Sequence, residues 1–252
     1  MKRELYISSV LALLLLLALG QLGFFDASRL SRGASNLALF ARGMVPPDLE
    51  ILPLAGKALL ETVQMAFAGT LLGFLLSLPL GILGTRTLFP RAVVLCVRLL
   101  LAVIRTVPSL LWAILLVIIV GLGPLAGTLA LAFYTVGYLG KLQAEVFDGV
   151  DPEILEAVRG AGAGRLQLAR YVIWPESANS ILSQLLFMLD YNVRASSILG
   201  FVGAGGIGFY MYTYVNSLDY QRLSTLLLLI LALVLVMDVA SAWLRRRYLL
   251  KA

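Results

Sequence analysis

Residues 151–175 read DPEILEAVRGAGAGRLQLARYVIWP, and they stand between two longer, mainly apolar stretches. Asp151 is a favourable N-cap, and Pro152 suits the first position of a helix. Three glycines at alternate positions then interrupt that helix: Gly160, Gly162 and Gly164. Residues 165–173 can form a second helix, so the stretch predicts a compact helix–turn–helix. A plain amphipathic loop is the alternative that these residues leave open.

The composition of the whole chain indicates a membrane protein. Of its 252 residues, 60% are apolar and 13% are charged, with a mean hydropathy of +0.94. A soluble domain is about 45–50% apolar and about 25% charged. The chain is therefore predicted to be an integral membrane protein, which excludes a secreted disulfide domain, a disordered tail and an ordinary cytosolic enzyme.

Cysteine and histidine, which often form disulfides, bind metals or act in catalysis, are scarce in this chain. The chain has one cysteine, Cys96, and no histidine, so we expect no internal disulfide, no metal site and no catalytic residue. No GxxxxGK[ST] phosphate loop occurs, so we expect no ATP site in this chain. The net charge of +6 is interpreted as an orientation signal rather than a nucleic-acid surface.

Six segments fit the requirement that a helix needs about 20 mainly apolar residues to cross a membrane. Between Arg105 and Lys141 lie 35 uncharged residues, which Gly121–Pro124 divides because Pro and clustered Gly interrupt helices. The third span must therefore begin earlier, and it carries Arg98 and Arg105. We predict one transmembrane domain over residues 1–252, with spans at about 5–25, 58–85, 92–120, 125–147, 178–199 and 223–244, and a cytoplasmic loop at 148–177.

Basic residues are distributed unevenly over the predicted loops. With the N-terminus inside, twelve of the 20 Lys and Arg residues lie on the cytoplasmic side, five outside and three within spans. Because cytoplasmic loops carry the excess of positive residues, we expect both termini in the cytoplasm. A cleaved signal peptide over residues 1–23 is the alternative, although signal h-regions are about 7–15 residues long. In the external loop, residues 35–42 predict a short interfacial helix.

Ionisable residues within spans are costly and are candidates for function. Asp190 and Arg194 are four residues apart and can pair on one helix face. They either neutralise each other, or Arg194 offers positive potential to an anion that crosses the membrane. Arg105 is a similar candidate, except that Pro108 frees backbone carbonyls that its guanidinium could use.

Two other charged residues in the spans are not expected to act in transport. Arg98 is expected to extend to the cytoplasmic edge, and Asp238 is expected to be structural. Gly69-xxx-Gly73 and Gly81–Gly84 offer small faces for helix packing, but the sequence does not say which helices meet.

The polar stretch also carries a spaced motif, EAV at 156–158, Gly162 and VIWP at 172–175. It resembles the EAA loop of ABC importer permeases, whose pattern is EAA-x3-G-x9-I-x-L-P. The spacing is kept, and three residues depart from the pattern but stay apolar: Val158, Val172 and Trp174. In that family the loop is a coupling helix that docks on a cytoplasmic ATPase. The resemblance implies an ATPase contact at Glu156, Ala157, Gly162 and Pro175.

Two more segments support this resemblance. RTVPS at 105–109 resembles the R-S-x-P element of methionine-type importer permeases. NVRASSILGFVGAGGIG at 192–208 is similar to a segment of phosphonate importer permeases, and its NVRASS preface points to the phosphonate, phosphite and hypophosphite branch. The similarity covers about residues 57–247. It implies an all-α integral membrane protein with about six transmembrane helices and the type I, methionine-importer-like permease fold.

The function implied is that of the membrane-spanning permease subunit of an ATP-driven, binding-protein-dependent importer in the bacterial plasma (inner) membrane. Its substrates would be phosphonate, phosphite or hypophosphite anions. A substrate pathway is hypothesised from Arg194, Asn192, Asp190, Arg105 and Ser196. Arg194 is favoured as its main charge, because it lies in the NVRASS stretch. A structural glycine loop is expected from Gly203, Gly205, Gly206 and Gly208. Their GxGxxG spacing also matches a dinucleotide site, but such a site needs a βαβ unit, which we do not expect here.

Partners and alternatives follow from the same resemblance. The chain contains one EAA loop and is about half the size of a complete translocation unit, which implies a homodimer. Two cytoplasmic ATPase subunits would bind ATP and Mg, and an external substrate-binding protein would deliver the ligand. The chain itself is expected to be no enzyme, to hold no cofactor and to bind membrane lipid but no nucleic acid. A methionine or other small-solute importer permease and a secondary transporter remain the alternatives.

Overall fold

The computed structural model describes residues 2–249, and within this range it contains helices and no strand. The helices are α1 Lys2–Gln21, α2 Ala27–Gly43, α3 Leu52–Leu83, α4 Arg91–Thr106, α5 Ser109–Val120, α6 Pro124–Asp148, α7 Pro152–Gly160, α8 Arg165–Leu168, α9 Trp174–Leu199, α10 Gly206–Asn216 and α11 Tyr220–Leu244. The chain divides into two compact units, residues 1–47 and 48–252. The all-α prediction is confirmed.

The first unit consists of α1 and α2. The carboxylate of Asp26 caps α2 by accepting hydrogen bonds from the backbone N–H groups of Ser28 and Arg29, each at 3.0 Å. A hydrogen bond from the Ser28 hydroxyl, followed by these backbone bonds, lowers the pKa of Asp26. The short helix expected at 35–42 is part of a helix of 17 residues, because this cap lets the helix start earlier.

Within residues 2–249, five helical stretches are long and apolar enough to cross a membrane: Arg3–Gln21, Leu49–Leu83, Pro124–Asp148, Arg165–Val202 and Tyr220–Arg247. The third predicted span, at 92–120, is not one straight helix. It consists of α4 and α5, which meet at an angle of 86°. The break lies at Val107–Pro108, because proline lacks the N–H group that a helix needs and disfavours helical backbone in the residue before it.

Small residues bring α3 against α6, and this is the main packing contact of the second unit. An ideal Cβ on Gly69 would lie 2.7 Å from Leu131 Cβ, and one on Gly81 would lie 2.9 Å from Gln143 Cβ. Both partners belong to α6. The packing interpretation of the α3 glycines is therefore confirmed, and the structure supplies the partner helix.

The glycine segment after α9 leads into a helix, α10, that the sequence analysis did not predict. Its first N–H groups are held by α3: Gly206 N–H donates to Glu61 Oε1 at 2.7 Å, and Ile207 N–H donates to Thr62 Oγ1 at 2.8 Å. A carboxylate is favourable there because a helix N-terminus carries unpaired N–H groups and partial positive charge. Glu61 is thus a structural residue that the sequence did not reveal.

The start of α3 is tied to the start of α11. Arg222 Nε donates to Asp48 Oδ2 at 3.0 Å, and Thr225 Oγ1 donates to the Asp48 carbonyl at 2.7 Å. The hydrogen bond from Arg222 lowers the pKa of the Asp48 carboxyl. These contacts position both helices at the end of the unit opposite the α3–α4 turn.

Candidate functional site

The first helix of the predicted helix–turn–helix is present and begins as predicted. The second, predicted over 165–173, is not a separate helix, because it continues directly into α9 as part of the helical stretch Arg165–Val202. The Asp151 carboxylate accepts the Glu153 N–H at 2.8 Å, and Pro152 occupies the first position of α7. Leu155 is the buried residue of this helix. It packs in a cluster that includes Leu88, Phe147, Val150, Leu168, Val172, Ile173 and Ile181. The short α7 is therefore held against the rest of the unit by Leu155, with Val158 packed at the edge of the same cluster.

The four residues predicted to contact an ATPase are all exposed. Glu156 and Ala157 lie on α7, Gly162 lies in the turn that follows, and Pro175 lies in the first turn of α9. Gly162 has a φ of +88°, a left-handed conformation that glycine adopts without cost. This explains the glycine in the motif. The ATPase contact itself stays a prediction.

Two of the three apolar departures from the motif face inwards. Val172 is buried in the Leu155 cluster, and Val158 packs against it from α7. Trp174 is 43% exposed. Two of the three departures are thus accommodated by the chain's own interior and leave the exposed face of α7 unchanged.

A second candidate site is a cavity of about 570 Å³ beside the α4–α5 break. It is lined by Arg105, Thr106, Pro108, Ser109, Leu110, Tyr134, Tyr191, Arg194, Ala195, Ile198 and Leu199. The rings of Tyr134 and Tyr191 stack with centroids 5.3 Å apart. The cavity therefore brings together two arginines that are far apart in sequence, next to an aromatic wall that the sequence analysis missed.

Arg194 is paired, and with more than its predicted partner. Its guanidinium contacts Asp190 on the same helix and donates to Asp238 Oδ1 on α11 at 2.9 Å. The predicted Asp190–Arg194 pair is confirmed. Asp238 joins it, because the bundle places α11 beside α9. With all three groups ionised the cluster has a net charge of −1, so Arg194 offers little positive potential to an anion.

Arg105 differs from Arg194 in the contacts of its guanidinium group. Among the residues that the structure describes, its guanidinium has no ion pair and no hydrogen bond. The backbone carbonyls next to the break are not used by Arg105: Trp112 Nε1 donates to the Ile104 carbonyl at 3.2 Å, and Thr106 Oγ1 donates to the Ala102 carbonyl at 2.7 Å. Arg105 therefore presents an uncompensated positive charge to the cavity.

Two other predicted pathway residues lie away from this cavity. Asn192 is fully buried, and its Nδ2 donates to Thr70 Oγ1 at 2.8 Å and Thr135 Oγ1 at 2.9 Å. Ser196 is also buried, and its hydroxyl donates to the Val193 carbonyl at 2.8 Å. Asn192 thus joins α3, α6 and α9 through hydrogen bonds, and both residues face the helix core.

The predicted glycine loop has the backbone that its glycines require. Gly203, Gly205 and Gly206 have φ values of +85°, +82° and +70°. Gly208 has an ordinary φ, but its backbone approaches the Ser197 carbonyl so closely that a Cβ would overlap it. The turn packs on α9 and α3, and Glu61 and Thr62 accept the N–H groups of Gly206 and Ile207 that a dinucleotide phosphate would need.

This fold, with its exposed polar helix–turn–helix and a charged cavity between membrane helices, defines a solute-importer membrane subunit. Residues 77–250 match the family described as binding-protein-dependent transport system inner membrane component, and the chain belongs to that family. It is a permease subunit of an inner-membrane ABC importer and not an enzyme, and the ATPase of such an importer is a separate subunit. The resemblance drawn from the three sequence motifs is confirmed.

Two similar proteins are named as permeases for phosphorus oxyanions. The chain is 36% identical to the phosphite transport system permease protein PtxC of Stutzerimonas stutzeri, over 92% of this chain and 85% of the relative. It is also 36% identical to the phosphate-import permease protein PhnE of Mycolicibacterium smegmatis, over 84% of this chain but only 40% of that longer relative.

Solved structures show the same fold. The MetNI methionine ABC transporter in an inward-facing conformation matches with a TM-score of 0.69 and 26% identity, covering 79% of this chain and 98% of that chain. A bacterial alginate ABC transporter matches with a TM-score of 0.66 at 13% identity, covering 93% of this chain and 94% of that one. The predicted type I importer permease fold is confirmed.

Proposed function

We propose that this permease subunit imports phosphite or a related phosphorus oxyanion, and that Arg105 is the main positive charge on its route. The main support for this proposal is that the Arg105 guanidinium, which pairs with no described carboxylate, lines a cavity beside Tyr134 and Tyr191. A phosphorus oxyanion accepts strong hydrogen bonds from guanidinium groups, and an anion in a low-dielectric region needs compensating positive charge. The likeness to a phosphite permease over most of the chain agrees with this chemistry.

The assembly proposed around the subunit has three further kinds of component. A second copy of the chain completes the pathway, an external binding protein delivers the anion, and two ATPase subunits bind ATP and Mg. The ATPase contact is assigned to Glu156, Ala157, Gly162 and Pro175, because these motif residues are exposed on α7, in the turn after it and at the start of α9. Asp190, Arg194 and Asp238 are assigned to packing between α9 and α11 at the edge of the cavity.

Arg105→Gln should lower phosphite uptake by about tenfold or more, because hydrogen bonds to charged groups contribute about 1.5–3 kcal/mol. The measurement is ATP-driven uptake into proteoliposomes that hold the complex and its binding protein. Arg105→Lys keeps the charge and should retain more uptake. The double variant Asp190→Asn/Arg194→Gln should affect uptake less than Arg105→Gln. Phosphite uptake by Arg105→Gln at the wild-type rate would exclude this role, and import of methionine but not phosphite by the wild type would exclude the substrate class.

We further propose that both termini, α7 and the α3–α4 turn face the cytoplasm, on the basis of the uneven distribution of Lys and Arg. Cys96 is exposed and has to be replaced before labelling. In that background, single cysteines at the exposed positions Ser35 and Ser217 should react with an impermeant thiol reagent added outside intact cells. A cysteine at Ala161, exposed in the turn after α7, should react only after the membrane is permeabilised. The reverse pattern would invert the orientation.

A further inference from the structure

The turn between α3 and α4 borders a second cavity that has no part in the proposed pathway. Its volume is about 520 Å³, and it is lined by Arg86, Phe89, Arg91, Val94, Leu95 and Arg98. The turn connects the last residue of one membrane helix, Leu83, to the first residue of the next, Arg91. The cavity therefore lies where two helices reach the membrane boundary.

The charges at this cavity are positive and only partly compensated. Arg98 is fixed, since it donates to Asp148 Oδ2 at 2.6 Å and to the Gly84 carbonyl at 2.8 Å. Arg86 also contacts Asp148: its backbone N–H lies 2.7 Å from Oδ1, and its side chain, which is 73% exposed, places Nε 3.8 Å from Oδ2. Arg91 has no ion pair within the described part of the chain. Three arginines thus line the cavity, and Asp148 pairs with two of them, Arg86 and Arg98.

Two more arginines from the helix–turn–helix reach the same turn. Arg159 donates to the Thr87 carbonyl at 3.0 Å, and the Arg165 guanidinium lies 5.9 Å from the centre of the Phe89 ring. They add to the positive potential around the cavity. Such a concentration of charge at a membrane boundary attracts anionic lipid headgroups, at about 1 kcal/mol for each basic residue near the surface.

An apolar stripe leads away from the cavity along α4. Leu95, Leu99 and Val103 are 60%, 56% and 65% exposed, and their four-residue spacing places them on one face of the helix. In a membrane this face contacts acyl chains. A ligand that satisfies both parts of the surface needs a negative headgroup at the arginines and a hydrocarbon tail along α4.

We propose that this cavity binds the headgroup of an anionic phospholipid, with one of its acyl chains lying along Leu95, Leu99 and Val103. Arg98 and Asp148 form the rigid wall, Arg91 supplies a charge that no described carboxylate pairs with, and the exposed side chain of Arg86 adds a charge that is only loosely paired with Asp148. The proposal concerns the lipid around the permease and does not depend on which solute is imported.

The test is native mass spectrometry of the complex of permease and ATPase, titrated with phosphatidylglycerol or with phosphatidylethanolamine of identical acyl chains. Wild-type complex should retain phosphatidylglycerol preferentially. Arg91→Gln should weaken that retention about fivefold, and Arg86→Gln/Arg91→Gln should weaken it further. Arg91→Lys should keep most of it. Lys57→Gln removes one exposed charge from the second turn of α3, at the other end of the helix, and should change nothing.

Several outcomes would overturn the proposal. One is equal retention of the two lipids by wild-type complex, and another is equal loss in Lys57→Gln and Arg91→Gln. Competition by glycerol 3-phosphate at the same concentration as the lipid would show a phosphate site without an acyl-chain contribution. Loss of the ATPase from Arg91→Gln would assign the surface to the ATPase instead. Size-exclusion profiles of each variant exclude misfolding as the cause.

Discussion

Glu156→Lys or Gly162→Leu should reduce the stimulation of ATP hydrolysis by loaded binding protein about tenfold or more, while the permease still inserts into the membrane. Glu156 is exposed on α7, so reversing its charge changes the proposed ATPase contact without disturbing the Leu155 cluster. Gly162 has a φ of +88° and no neighbouring atom within 4 Å of an added Cβ. A leucine there strains the backbone by about 1–2 kcal/mol and alters the turn without a steric clash.

Two control variants separate the turn conformation from side-chain size. Asn adopts the left-handed region more readily than other non-glycine residues, so Gly162→Asn should retain more coupling than Gly162→Leu. Gly160 also has open space around it but no positive φ, so Gly160→Leu should couple better than Gly162→Leu. The readout is ATPase activity of the reconstituted complex with and without loaded binding protein. Unchanged stimulation in both Glu156→Lys and Gly162→Leu would refute the docking assignment.

Helix positions were predictable where local chemistry decides them. Length and hydropathy located the membrane helices, Asp151 and Pro152 located the start of α7, and Gly121–Pro124 located the boundary between α5 and α6. Each of these signals acts within a few residues. The 86° angle at Val107–Pro108 was not predicted, because a proline marks a break without giving the direction that the next helix takes.

The candidate site was only partly predictable, because its chemistry depends on contacts between distant helices. The ionisable residues within the spans were recognised as candidates because placing a charge in a membrane costs free energy. Whether the charge of each residue is paired depends on tertiary structure. Asp238 pairs with Arg194 although the two are 44 positions apart in the sequence, whereas no described carboxylate pairs with Arg105. Glu61 could be recognised as a charge near a membrane helix, but its cap on α10 required knowledge of a helix that the sequence did not predict.

The contact between α9 and α10 should tolerate no side chain at Gly208. An added Cβ there would overlap the carbonyl oxygen of Ser197, and one at Gly200 would meet the backbone of Gly208 and Phe209. These neighbours are backbone atoms, which cannot rotate away as a side chain could. Overpacking typically costs about 1–3 kcal/mol, and Gly208→Ala should reach the upper end because α10 is also held by Glu61 and Thr62. For a chain of this size that corresponds to a Tm lower by about 6–12 °C.

Gly56→Ala provides the matched control, since it makes the same chemical change in α3 at a position with no atom within 4 Å of the added Cβ. Alanine has the higher helix propensity, so this variant should melt at or slightly above the wild-type temperature. The measurement is thermal unfolding of the purified full-length permease in one detergent, followed by tryptophan fluorescence. If Gly208→Ala melted together with Gly56→Ala, the backbone of α10 could not lie against the end of α9. The glycines at 200 and 208 would then need an explanation other than close helix approach.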